Sequence, residues 1–342
     1  MKIKSLLLVG LAQSLALISP LLAESAYHLL KTIPISSDGG WDYLSVDAVG
    51  RRLYVAHATR VVVIDLDRDI VVGEVADTQG VHGFAIAPEI GRGFASNGKE
   101  NTVSIVDLKT LKTLSKVATG ANPDAVFYEP TSREVYAFNG RGKSATVFAA
   151  ETGALVATID LPGKPEFAAG DPDLGVIFCN IEDTSQVVAI STKTHSIKHT
   201  WTTAPGAEPT GLAIDVRRHR LFVGCSNQTM VMIDAVSGKV LAQVPAGEGV
   251  DATAFDPGRG LAFSSAGDGT VTIAKADASD HFSVVQKLQT VRGARTLTLD
   301  PATNKIYLAA VDYEVVPAAA SPSPKSRPKP LPGTFKVLVY GN

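Results

Sequence analysis

One pattern recurs seven times along this chain, and it limits the folds available more than any other feature. It is most legible at Ala207–Gly249, where four β-patterned runs follow one another: TGLAID, RLFVGC, TMVMID and KVLAQVP. Turn residues separate them at Asp215–Arg218, Ser226–Gln228 and Ser237–Gly238. Short runs rich in Val, Leu, Ile and Phe, bounded by Gly, Asn, Asp and Ser, read as strands. Four strands joined by tight turns form an antiparallel meander. Such a sheet cannot cover both of its faces, so it must stack on copies of itself. Aligned copies begin near Trp41, Val81, Ala121, Lys164, Ala207, Val250 and Ala294. A repeat of 40 to 44 residues with four strands per unit predicts a β-propeller.

The seventh unit is one strand short, because the chain ends at Phe335–Asn342. Tyr27–Gly40 matches the fourth strands of other units, such as Leu155–Gly163. The expected fold is therefore all-β: a seven-bladed propeller of four-stranded antiparallel blades, closed by the N-terminal strand completing blade 7. Closure removes open sheet edges. Although 342 residues would accommodate two domains, the repeat predicts a single one over 24–342.

Met1–Ala23 reads as a secretory signal peptide. Lys2 and Lys4 precede the apolar run Leu6–Ile18, and Pro20 breaks the helix. That run is short for a membrane span. A periplasmic or secreted protein is expected. Its two cysteines, Cys179 and Cys225, fall in neighbouring blades. Facing sheets lie about 10 Å apart, too far for a bridge, so buried thiols are expected. No CxxCH haem site or CxxC zinc pair is present.

The units share a consensus of P-x-G, Asp-Pro, hydrophobic-Tyr-Val-Ala-Asn and Thr-Val-hydrophobic-hydrophobic-Asp elements. Examples are RLYVAH at Arg52–His57, TVSIVDL at Thr102–Leu108, VYAFN at Val135–Asn139, PTG at Pro209–Gly211 and Asp300-Pro301. Over Tyr27 to Asn342 the chain resembles the YVTN/YncE family of exported bacterial seven-bladed propellers. The resemblance implies the fold and export; it implies no one activity, because propellers of this kind resemble both binding proteins and enzyme domains. The chain departs from the repeat in blade 7, where Val311–Thr334 is inserted.

Two alignment columns are structural by mechanism. Asp47, Glu129, Asp171, Asp215, Asp256 and Asp300 open the first turn of a blade, where a carboxylate bonds nearby amides. His57, Asn97, Asn139, Asn180, Cys225, Ser265 and Ala310 close the second strand, and Asn there is expected to hold the following turn. A third column enters the innermost strands: Asp42, His82, Asp124, Glu166, Thr210, Asp251 and Arg295, with Trp41 preceding the first. Inner strands line the central channel, so these side chains are expected to ring one mouth.

Three readings of that ring stand side by side. The side chains are solvated, with Arg295 pairing to its neighbours. Or they recognise a ligand, since convergent polar groups in a concavity mark a site. Or Asp42, His82, Asp124 and Glu166 bind a divalent cation, because carboxylate oxygens suit calcium or magnesium and an imidazole suits zinc. No other cofactor is expected.

The insertion carries Pro322, Pro324, Pro328, Pro330 and Pro332 with Lys325, Arg327 and Lys329 between them, and should be extended. It should leave from the face bearing the acidic ring, as a solvated loop, a flap or a docking peptide. The opposite face should carry Arg51, Arg52, Arg92, Arg133, Arg217, Arg218, Arg220, Arg259 and Lys305. Without Lys2 and Lys4, 30 basic residues face 34 acidic ones, a net charge of −4 that argues against a general nucleic-acid binder. No G-x-S-x-G elbow, zinc-protease motif or phosphate-binding glycine loop occurs. The leading expectation is a monomeric, non-enzymatic binding or scaffold propeller that engages a small molecule or protein partner through Trp41, Asp42, His82, Asp124, Glu166, Thr210, Asp251 and Arg295. The alternatives are a hydrolase resembling propeller lactonases, with a ring carboxylate or His82 as base, and nucleic-acid binding through the basic face.

Overall fold

Carboxylates set the turns. In a computed structural model that describes residues 26–314 and 329–342, Asp47 accepts hydrogen bonds from the amides of Val49 and Gly50 at 3.1 and 2.7 Å. Asp171, Asp256, Asp300 and Glu129 do the same at the equivalent turns. Asp234 repeats the device between third and fourth strands, accepting from Val236 and Ser237. Each turn closes a hairpin, and the hairpins add up to seven four-stranded antiparallel sheets.

In blades 1 to 6 the strands pair in chain order from the channel outwards, beginning with inner strands Trp41–Asp47, Val81–Ala87, Pro123–Glu129, Pro165–Asp171, Pro209–Asp215 and Val250–Asp256. Blade 7 runs Leu297–Leu299, Ile306–Ala310, Lys336–Gly341 and then His28–Pro34. The N-terminal strand therefore closes the ring, pairing from His28 opposite Gly341 to Pro34 opposite Lys336 with a one-residue bulge at Leu30. Ile33 is buried against this blade. Tyr27 is buried against Phe263 of blade 6 with ring centroids 5.3 Å apart, and the Gln286 side chain bonds both its amide and its carbonyl.

Second and third strands are buried on both faces, because each blade is sandwiched between two others. Successive residues therefore serve different neighbours. Phe94 packs with Phe148 of blade 3, while the next residue, Ala95, joins Tyr54 and Phe84 on the blade 1 side. The described residues form seven such apolar clusters, one for each blade interface. Fourth strands such as Thr113–Ala118 are largely exposed. Packing of this kind stabilises by about 25 cal/mol per Å² of apolar surface buried. It makes the ring a stiff frame for its loops.

Cys179 and Cys225 are free and fully buried, and burial pushes the Cys225 thiol up to about 12. The expected leader, Met1–Ala23, lies outside the described residues, as do 315–328 of the blade 7 insertion. The stems of that insertion pair with each other: Leu331 N–H donates to the Asp312 carbonyl, and Tyr313 bridges Pro330. Tyr313 covers Gly293, where φ is +83° and a Cβ would stand 2.4 Å from the phenol oxygen. No helix among the described residues is long and apolar enough to cross a membrane.

Candidate functional site

One extra residue in each of six inner strands builds the mouth. In blades 1 to 6 the pairing of first and second strands slips at the same place: between Trp41 and Leu44, Val81 and Phe84, Pro123 and Val126, Pro165 and Ala168, Pro209 and Gly211, Val250 and Ala252. Such a β-bulge breaks the ladder and re-aims side chains. Asp42, His82, Asp124, Glu166, Thr210 and Asp251 all fall inside it.

A bulge also strands backbone groups that must find partners elsewhere. Polar side chains of adjoining blades supply them. Ser96 of blade 2 accepts from Gly83 N–H at 2.9 Å and donates to the Asp124 carbonyl of blade 3 at 2.5 Å. Asn180 of blade 4 donates to the carbonyls of Thr210 and Gly211 in blade 5, and Ser265 of blade 6 donates to that of Arg295. Asn180 and Ser265 thus hold the next blade rather than their own turn. Asn97 and Asn139 act across the turn, bonding hydroxyls of Thr102 and Ser104, and of Ser144 and Thr146.

The candidate residues divide into three groups. Asp42, His82 and Asp124, from consecutive blades, converge. His82 Nδ1 lies 2.7 Å from Asp42 Oδ2 and 3.7 Å from Asp124 Oδ1. The imidazole is seated on Gly98, where a Cβ would stand 2.5 Å from Nε2. Only a glycine there lets the ring present Nδ1 to the carboxylates. Glu166 follows in blade 4, 2.9 Å from Lys164 Nζ, which also holds Glu182. Across the ring, Arg295 pairs with Asp251. Thr210 is buried and donates its hydroxyl to the Val250 carbonyl at 2.9 Å, so it joins blades 5 and 6.

Two aromatic residues that the column analysis passed over lie beneath the carboxylates. Tyr43 of blade 1 reaches across to Phe167 of blade 4, with ring centroids 4.8 Å apart. Tyr43 is buried, and that burial, with Glu166, Asp124, Asp251 and Asp42 around it, holds its phenol well above the ordinary tyrosine pKa. The acidic ring therefore stands over an aromatic floor. Both residues follow the polar column by one position, and that position carries the signal: an aromatic side chain in the channel-facing bulge.

Partial shielding governs the charge of the mouth. Burial first, and then the Asp42 charge, push Asp124 up to about 7. Burial and Asp124 push Glu166 up to about 7 against the pull of Lys164. Asp42 is raised by burial, its hydrogen bond to His82 opposing. Burial disfavours the His82 imidazolium, but the Asp42 hydrogen bond and the surrounding carboxylates outweigh it and hold its pKa above the ordinary value.

Trp41 is half-buried, packs on Phe335 at 5.7 Å, and lines an open groove of about 530 Å³ beside Asp42 and His82. Lys99 and Arg141 stand at that groove without a carboxylate partner among the described residues. His57, stacked on Phe335 at 4.0 Å and bonded to Ser37 and the Gly40 carbonyl, is a structural neighbour of the groove.

The opposite face is less basic in effect than its arginine count suggests. Arg51 bridges Asp67 and Asp300, Arg92 meets Asp107, Arg133 meets Glu151, and Arg259 meets Asp256. Arg217 and Arg218 share Asp215, and Arg220 pairs with Asp280. Arg52 donates to the Leu108 carbonyl of the next blade.

Comparison with solved structures finds the same architecture in a chain of Kuenenia stuttgartiensis hydrazine synthase. That chain is 16% identical with a TM-score of 0.71, the match covering 80% of this chain and 94% of that one. At this identity the likeness concerns the fold alone. No protein-family model matches, and no curated protein is similar in sequence. The resemblance to YVTN/YncE propellers rests on the repeat residues themselves.

Proposed function

We propose that this protein is an exported, non-enzymatic binding propeller that captures a small, positively charged ligand at the acidic mouth of its channel. The observation that carries the reading is the convergence of Asp42, His82 and Asp124 from three consecutive blades, with Glu166 of the fourth blade next in the ring, above the Tyr43–Phe167 floor. Carboxylates crowded in a shielded concavity repel one another, and a bound cation relieves that repulsion. The floor limits depth, which favours a small ligand. Trp41 offers an aromatic wall beside the acidic groups, suited to an organic cation. Lys99 and Arg141 at the groove would meet an anionic group on the same ligand. Export follows from the Met1–Ala23 pattern and the resemblance to YVTN/YncE propellers.

A hydrolase remains the second reading, favoured by the His82–Asp42 pair at 2.7 Å, since an imidazole oriented by a carboxylate is how a general base is commonly built. Nucleic-acid binding through the opposite face is disfavoured, because its arginines are already matched to carboxylates and carbonyls.

The test is a titration of the mature protein carrying Trp201→Phe, so that Trp41 is the sole indole, with putrescine, tetramethylammonium and acetate. The expected result is a saturable fluorescence change with a cation, weakened at least about tenfold in Asp124→Asn, and none with acetate. If acetate binds as well as the cations, or Asp124→Asn binds them unchanged, the acidic mouth is not the site.

A further inference from the structure

We infer that Asp42, His82 and Asp124 form a binding site for a divalent transition-metal ion of the zinc class. The inference rests on the cation-binding reading of the mouth and names the cation. One imidazole nitrogen and two carboxylate oxygens, one from each of three consecutive blades, all lie within 4.8 Å of one another. Donors around a four-coordinate ion with bonds of about 2.0–2.1 Å stand roughly 3.3 Å apart. The separations of 2.7 Å from Nδ1 to Asp42 and 3.7 Å from Nδ1 to Asp124 bracket that spacing. Small side-chain rotations would bring all three onto one ion, with no movement of the backbone.

A second observation separates this cluster from an ordinary acidic patch. Asp124 is 8% exposed, its carboxylate oxygens keep a sliver of contact with the channel, and no side-chain or backbone donor among the described residues is hydrogen-bonded to them. Its nearest cationic partner is the His82 ring at 3.7 Å. Buried carboxylates are normally hydrogen-bonded or paired, because leaving one bare is costly. The other acidic groups of the ring are provided for: Asp251 has Arg295, and Glu166 has Lys164. Asp124 has no cation nearer than the His82 ring, and its oxygen lies with the other two donors of the cluster, as a metal ligand's would.

The framework around these donors is pre-organised for the task. Gly98 beneath the imidazole leaves the room the ring needs to turn Nδ1 towards the carboxylates. Ser96 holds the Asp124 backbone through its carbonyl and ties it to the neighbouring bulge at Gly83. The donors thus stand on strands locked blade to blade. A set of one nitrogen and two oxygens selects against calcium and magnesium, which take all-oxygen shells of six or more, and favours zinc, cobalt or manganese. Three protein ligands leave a position open towards the groove beside Trp41, where an anionic ligand could join the ion and reach Lys99 or Arg141.

The test is calorimetric titration of the chelator-stripped mature protein with Zn²⁺, Co²⁺ and Ca²⁺ alone, together with the visible absorption of the Co²⁺ form. One Zn²⁺ or Co²⁺ per chain is expected, with a d–d spectrum of a low-coordinate N/O site and Ca²⁺ weaker by at least about tenfold. Asp124→Asn and His82→Gln should each weaken Zn²⁺ by at least about tenfold. His219→Gln should not, although His219 also meets a carboxylate, Asp171, at 2.7 Å. Equal binding by His82→Gln, parallel loss in His219→Gln, or a preference for Ca²⁺ would overturn the metal site. If metals fail while putrescine binds, the metal inference falls and the cationic mouth stands. If neither binds, both fall. Circular dichroism of each variant shows whether a loss reflects the site or the fold.

Discussion

Raising the pH of the metal-free protein from 4 to 8 should lower its stability, and Asp124→Asn should remove much of that loss. Asp124 has an ordinary pKa of 3.8 and is pushed up to about 7 in the folded ring, by burial and then by Asp42. Between those values the folded chain holds a proton that the unfolded chain has released. Stability then falls as pH rises, because the unfolded state binds fewer protons. At 1.36 kcal/mol per pH unit, the loss is on the order of 4 kcal/mol by pH 8. Glu166, ordinarily 4.5 and here about 7, titrates over the same range. Asp42 raises Asp124 and Asp124 raises Glu166, so these carboxyls titrate as a coupled set with macroscopic values. Together they should contribute less than their sum, roughly 4–6 kcal/mol. His82 acts in the same direction: its raised pKa stabilises below the unfolded value, and that stability is lost as pH rises through the folded one. Groups of opposite sign, such as Asp300 and Glu129 with lowered values, contribute stability that disappears only as pH falls through the acid range. Between pH 5 and 8 the mouth therefore sets the trend, opposed by His57, whose pKa burial lowers and whose contribution to stability grows as pH rises.

Urea denaturation at half-unit intervals gives the curve. The wild type should lose several kcal/mol across the window, while Asp124→Asn should show a slope cut by about half and exceed the wild type above pH 7. A variant curve parallel to that of the wild type would mean that Asp124 holds no proton and that the carboxylates do not share the mouth.

A chain beginning at Asp38 should lose blade 7 closure. Burial of Tyr27 and Ile33 alone contributes about 1.5–3 kcal/mol each, so a thermal midpoint equal to that of the mature chain would contradict the pairing of His28–Pro34 with Lys336–Gly341. Phe167→Ala should cost about 3 kcal/mol in urea, since the Tyr43 ring loses its partner across the channel; a cost under about 1 kcal/mol would show that the two rings do not form a packed floor.

Repetition made the fold legible. Seven units, six of them with a turn carboxylate and all with the same apolar second and third strands, left one architecture, and the orphan strand at Tyr27–Pro34 had one place to go. The site was legible only in part. The column Asp42, His82, Asp124, Glu166 was visible because a polar residue recurred where apolar ones were expected. Its geometry was not, because the bulge that aims these side chains is a property of pairing between two strands. No single strand carries it. The same limit hid Tyr43 and Phe167, which meet across the diameter of the ring from units 124 residues apart.

Thr210 shows why membership of a column does not make a side chain part of the mouth. Its bulge leaves one residue unpaired, Thr210 itself, where blades 1 to 4 leave two. A short β-branched hydroxyl there finds the Val250 carbonyl within reach and turns sideways into the blade interface. Asp251 has the same one-residue bulge but a longer charged side chain, and Arg295 of the next blade draws it out. Blades 1 to 4 thus differ from blades 5 to 7 in kind. The first group projects Asp42, His82, Asp124 and Glu166 over the Tyr43–Phe167 floor, whereas the second spends its polar residues on ties between blades. A ring built from equal repeats becomes one-sided through which residue occupies the bulge, and the chemistry gathers on the side where the bulge is wide.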